Sequence, residues 1–120
     1  MNWFAPPVEI ETQVHARLPD TFRDKRPTAW SAANRAGAPV DSFLEGPCLA
    51  PDGTLYVVDI PFGRIFAIDA KGDWHRVAQY DGWPNGMRVA PDGTLVVADY
   101  RCGLMRVDPK TGSVAGILAN

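Results

Sequence analysis

Several things are scarce in this chain, and each scarcity excludes a class of function. Cysteine is limited to Cys48 and Cys102. Two cysteines make no metal-ligand spacing, and two free thiols are the expectation. Histidine is limited to His15 and His75. Neither has a serine or cysteine partner at a recognisable spacing, so a hydrolytic triad is not supported. No apolar run approaches the roughly 20 residues of a membrane span. The basic excess that would hold a polyanion is missing too: 12 basic and 14 acidic residues leave a net charge of −2. Nucleic acid is therefore not an expected partner, and neither is a membrane. The first seven residues lack the basic start and apolar core of a signal peptide, which points to the cytoplasm. What remains, 120 residues with 46% apolar and 22% charged side chains, has the composition of an ordinary globular domain.

What the chain does have is an internal echo. Leu49-Ala50-Pro51-Asp52-Gly53-Thr54-Leu55 returns as Val89-Ala90-Pro91-Asp92-Gly93-Thr94-Leu95, 40 positions later. The match runs on through Asp59 and Asp99, and pairs Gly63 with Gly103. Asp69 pairs with Asp108 at 39, so the second copy has lost a residue. Backwards, Gly46 falls opposite Gly86 and Glu45 opposite Asn85. A repeat of about 40 residues rich in short apolar runs has the period of a four-stranded β-propeller blade. The expected fold class is all-β, a partial propeller of two four-stranded antiparallel blades. The first blade spans 42–80 and the second 81–120.

Residues 1–41 stand outside the repeat as an irregular extension. Val14, Ala16 and Leu18 alternate with His15 and Arg17, the pattern of a half-buried strand that Pro19 ends. The alanine-rich stretch 29–36 stops at Gly37 and reads as a short helix with a glycine cap. In the first blade the strands are expected at 46–50, 54–59, 64–69 and 74–79. Pro51-Asp52-Gly53 makes the first tight turn. Leu55-Tyr56-Val57-Val58 is apolar without alternation, so both of its faces should be covered. The fourth strand is more polar and falls outermost. The second blade repeats the plan at 86–90, 94–99, 104–107 and 113–118.

Two blades do not close a ring, since propellers take typically 4–8. The expectation is two bare apolar blade faces, one at each end. Either the chain is part of a longer protein, or self-association covers those faces; three copies of two blades would make six.

The register equates Glu45-Gly46 with Asn85-Gly86, each just before an innermost strand. Innermost strands line a propeller's channel, so the two slots point at a common axis. A carboxylate and an amide carbonyl converging there suit a hard cation such as Ca²⁺ or Mg²⁺. The competing readings are a tight hairpin turn for Asn85-Gly86 and a solvated loop carboxylate for Glu45. Asp59 and Asp99, also equivalent, should lie on the same face and cap N–H groups of the next turn. Trp83, Phe62 and Tyr100 border the expected channel mouth, with inter-blade packing as the default. Arg64 and Arg101 are solvated-surface residues by default and anion-binding groups otherwise.

Three stretches together resemble the SMP-30/gluconolactonase/LRE-like family. They are Ser42-Phe43-Leu44-Glu45-Gly46-Pro47, then Leu55-Tyr56-Val57-Val58-Asp59-Ile60-Pro61-Phe62-Gly63-Arg64-Ile65-Phe66, and Tyr80-Asp81-Gly82-Trp83-Pro84-Asn85-Gly86-Met87. The resemblance covers about 42–120. It implies a six-bladed propeller with one divalent cation in its channel, often Ca²⁺ and sometimes Zn²⁺ or Mn²⁺, that hydrolyses sugar lactones or related esters. It implies Glu45 as a metal ligand and Asn85 as a metal or substrate ligand. Trp83, Asn85 and Arg101 are the expected substrate-binding residues. Some members carry a substrate-binding arginine where this chain has Trp83, which puts sugar-acid specificity in question. The family's remaining ligands and its general base come from later blades, with no match here, so no catalytic residue is assigned. The chain alone is expected to hold the ion weakly and turn over little lactone. The alternative is a non-catalytic propeller module that binds a partner through blade edges and loops.

Overall fold

The computed structural model describes residues 4–118. Residues 1–3 of the extension and 119–120 of the second blade lie outside them. Eight strands form two four-stranded antiparallel sheets, each a simple meander. The first blade is β1 (Leu44–Leu49), β2 (Leu55–Asp59), β3 (Arg64–Ile68) and β4 (Trp74–Gln79). The second is β5 (Pro84–Val89), β6 (Leu95–Asp99), β7 (Gly103–Val107) and β8 (Val114–Leu118). No described helix is long and apolar enough to cross a membrane.

Turn chemistry explains why the meanders recur. In the first hairpin of each blade, the N–H of Gly53 or Gly93 donates to the carbonyl of Ala50 or Ala90. The Asp52 and Asp92 carboxylates accept the N–H of Thr54 and Thr94 at 2.9 and 3.0 Å. Aspartate thus satisfies the backbone two residues on while glycine takes the positive φ. Even irregularities repeat: the register of β3 on β4 shifts between Ile65 and Phe66, and that of β7 on β8 between Leu104 and Met105.

The pairing corrects one detail of the repeat. Asp59 pairs with Arg64, whereas Asp99 pairs with Gly103. The residue lost from the second copy therefore comes out of the β2–β3 connection. Gly63 and Gly103 both take positive φ, 60° and 85°, but they are not register equivalents. The true counterpart of Arg64 is a glycine.

Alternation along β2 sends Val58 to one face and Val57 to the other. Val58, Ile65, Ala78 and Cys48 pack against Met87, Leu95, Val97 and Val107, which makes the inter-blade core. Val57, Phe66 and Ile68 form a second cluster on the opposite face, as a doubly covered strand requires. Their cover is the N-terminal extension. Leu18 is buried on them, and Phe22 lies 5.0 Å from Phe66, ring centre to ring centre. Burying a side chain such as Leu18 contributes about 1.5–3 kcal/mol. One of the two faces expected to be bare is therefore covered. The stretch 14–18 has no regular secondary structure and pairs with no described strand, so the half-buried strand expected there does not form. Of the three residues that the alternation picks, Ala16 and Leu18 turn inward, whereas Val14 is 65% exposed. The inward pair packs on Val57, Phe66 and Ile68 without joining the sheet.

A buried ion pair fixes the extension to the blade. Asp59 is fully buried and accepts hydrogen bonds from the Ser42 hydroxyl (3.0 Å), the Phe43 N–H (2.8 Å) and Arg64 Nε (2.8 Å). Arg64 Nη2 donates to the same carboxylate. Arg64 Nη1 donates to the Phe22 carbonyl at 2.7 Å, and the guanidinium lies over the Phe62 ring at 4.5 Å. Arg64 is thus neither solvated surface nor an anion-binding group, because every face of it is used inside the fold. Phe62 is buried beneath it, so it is a packing residue. The helix α1 (Ala29–Asn34) ends two residues earlier than the alanine run suggests. Thr28 and Ser31 cap its start reciprocally.

Candidate functional site

The two blades meet most closely at the starts of β1 and β5. A Cβ built on Gly46 would lie 2.1 Å from the backbone oxygen of Asn85, and Gly46 sits at φ +55°. Only glycine permits that approach, and it brings the two innermost strands together at the predicted pair. Glu45 and Asn85 lie inside these strands, one residue past each start. The strands begin two residues earlier than the sequence suggests. Asn85-Gly86 is therefore not a hairpin turn. Each pair adjoins a break in the ladder, between Glu45 and Cys48 and between Pro84 and Gly86. Such breaks bend a strand and re-aim its side chains.

Asp59 and Asp99 support these starts differently. Asp59 holds Ser42 and the Phe43 N–H, and so fixes the chain entering β1. Asp99 accepts the N–H groups of Arg101 and Cys102, both at 2.8 Å, which is the next-turn cap the sequence suggests. Its second oxygen is buried without a hydrogen-bond partner, as is the Tyr80 hydroxyl. Burial first, and then the Asp99 carboxylate, push the Tyr80 phenol above its ordinary range. Burial and Asp99 push the Cys102 thiol upward as well. Both cysteines are free.

Glu45, Asn85 and Trp83 share one cleft of about 290 Å³. Ile60, Phe43 and Tyr100 form further wall, and Trp30 and Asn34 of α1 complete it. Arg101 does not line this cleft. It donates to Asp81 at 2.7 Å and lies over the Trp83 ring at 5.5 Å. Three of the four site residues named from the sequence thus come together, and the fourth stands behind Trp83. Trp30 and Asn34 escape sequence reasoning because the extension carries no repeat partner, whereas Phe43 stands 40 positions before Trp83, a register that could have found it. The only signal for Trp30 is its bulk in an otherwise alanine-rich helix. Glu45 and Asn85 are both exposed and offer hard oxygen donors to the cleft. No group of three or more His, Cys, Asp or Glu side chains able to hold a metal is present among the described residues. No family model matches the chain, and no curated protein does.

Proposed function

We propose that the two blades belong to a metal-dependent, lactonase-type hydrolase of the SMP-30/gluconolactonase/LRE-like kind, acting in the cytoplasm on lactones or related esters. The observation that carries this reading is the meeting of repeat-equivalent Glu45 and Asn85 in one cleft. Glu45 would hold a divalent cation, Ca²⁺ first and Zn²⁺, Mn²⁺ or Mg²⁺ otherwise, with the Asn85 carbonyl beside it. Once bound, such an ion polarises an ester carbonyl and lowers the pKa of a water. The Asn85 amide can orient the substrate's oxygen, and Trp83 and Tyr100 shield it from bulk water. Two protein oxygens fall short of the 6–8 ligands of calcium. Further blades, in the same chain or from other copies, would supply the rest and the general base.

A second reading, a binding module, draws on the far face of the second blade, where Leu118 is 67% exposed. Calorimetric titration with calcium separates the two. The hydrolase reading expects weak binding that Glu45→Ala or Asn85→Ala abolishes. Variants that behave like the parent chain favour the module. A tight one-to-one site on the isolated monomer contradicts the need for further ligands.

A further inference from the structure

The alternation of the extension runs further than 14–18. Every even position from Val8 to Leu18 is apolar or β-branched, and every odd position between them is polar or charged. Strict period two over that length specifies a strand with one covered face. Only its end is covered, where Ala16 and Leu18 pack on the first blade. Val8 and Ile10 are 86% and 80% exposed, and residues 8–14 pair with no described strand.

A free edge of matching character lies on the second blade. No described strand lies beyond β8, the outer strand of its sheet. Exposed edges are ordinarily guarded by charge or proline. The same strand of the first blade, β4, carries His75 and Arg76, both exposed. In β8, Val114 to Leu118, neither charge nor proline occurs, and Ile117 and Leu118 are exposed. The repeat thus guards one outer edge and leaves its equivalent open. Charge is complementary as well. Glu9 and Glu11 are the only charged residues in 8–14, whereas Lys110 precedes β8 and Arg106 stands opposite Ala115 in the ladder. Val114 turns to the inter-blade core and Ala115 to the other side. With Val8, Ile10 and Val14 on the Val114 side, Glu9 and Glu11 fall on the Arg106 side.

We infer that residues 8–14 of one copy add to β8 of a second copy as a further strand, and that exchange in both directions gives a two-fold dimer. The occupant is a second copy because the segment lies in solvent, off its own β8. Main-chain bonds supply affinity in strand addition, and alternate side chains supply register. Reciprocal exchange uses both edges and stops at two copies. Nothing in this dimer depends on Glu45 or Asn85.

Sedimentation velocity on the 120-residue chain, with isotope-filtered NMR on a mixture of labelled and unlabelled copies, tests it. The expected result is a monomer–dimer equilibrium with contacts between 8–14 of one copy and 114–118 of the other. Ile10→Pro removes a ladder donor from an exposed segment. It should weaken the dimer at least about tenfold with an unchanged circular dichroism spectrum. Ile117→Lys, which restores a guard to the edge, should weaken it similarly. Glu9→Lys combined with Glu11→Lys should weaken it most at low salt. A monomer at every concentration up to about 1 mM overturns the inference. So does a dimer that Ile10→Pro leaves intact, and so do contacts between 8–14 and 114–118 that arise within one copy.

Discussion

Replacing Arg64 by leucine tests how the N-terminal extension and the first blade are joined. The substitution leaves the Asp59 carboxylate fully buried, still holding Ser42 and the Phe43 N–H but without its cation. Breaking a buried pair from one side costs about 3–5 kcal/mol. It also removes the 2.7 Å bond to the Phe22 carbonyl, so the cover over Phe66 loosens. Against a total of about 5–15 kcal/mol for a small domain, that is a large share of the stability. Replacing both Asp59 and Arg64 by leucine removes the stranded charge. It orphans the Phe43 N–H and the Ser42 hydroxyl and, like the single change, the Phe22 carbonyl, at about 1–3 kcal/mol for each buried group left unpaired. Urea unfolding should therefore rank the parent first, the double variant next and Arg64→Leu last. Asp99→Asn should change stability by less than about 1 kcal/mol, because its oxygen can keep both turn N–H groups and no cation is lost. An Arg64→Leu chain within about 0.5 kcal/mol of the parent refutes the reasoning, and so does a double variant less stable than the single one.

Other outcomes follow from the same geometry. Gly46→Ala drives a Cβ into the Asn85 backbone, so it should cost at least about 1–3 kcal/mol and reduce calcium binding in the same titration. Acid should act through the loop carboxylates. The Thr54 N–H lowers the pKa of Asp52, the Thr94 hydroxyl that of Asp92, the Asp73 N–H that of Asp69 and the Lys110 N–H that of Asp108. A folded pKa below the ordinary 3.8 gives stability that is complete above that value and is lost as the pH falls through the lower folded one. The melting temperature should hold from pH 6 to about 4 and fall below it. Replacing all four aspartates by asparagine should flatten that fall, and an equally steep fall in that variant counts against the assignment.

The blades were legible because their signals are local. Pro-Asp-Gly-Thr sets each first turn through contacts two or three residues long, and two copies in register reveal the period. The pairing of Glu45 with Asn85 was legible for the same reason, since equal places in adjacent blades sit at equal depth. The strand starts were misjudged because a bulge hides the period-two alternation at Glu45 and Pro84. Gly63 and Gly103 misled the alignment, since each ends a connection at positive φ and one residue of register separates them. Arg64 could not be read, because its burial depends on Phe22, 42 residues away in sequence. The cover supplied by Leu18 and the wall supplied by Trp30 are likewise contacts between a unique segment and a repeated one. No periodicity reports such contacts.

In the proposed site Glu45 and Asn85 address one cation. Manganese, titrated into isotope-labelled chain, broadens the NMR signals of residues near its site. The resonances of Glu45 and Asn85 should broaden first and together, and Glu45→Gln should remove the effect on both. Broadening that begins instead at the exposed loop carboxylates Asp52 and Asp92, with Glu45 and Asn85 unaffected, contradicts it.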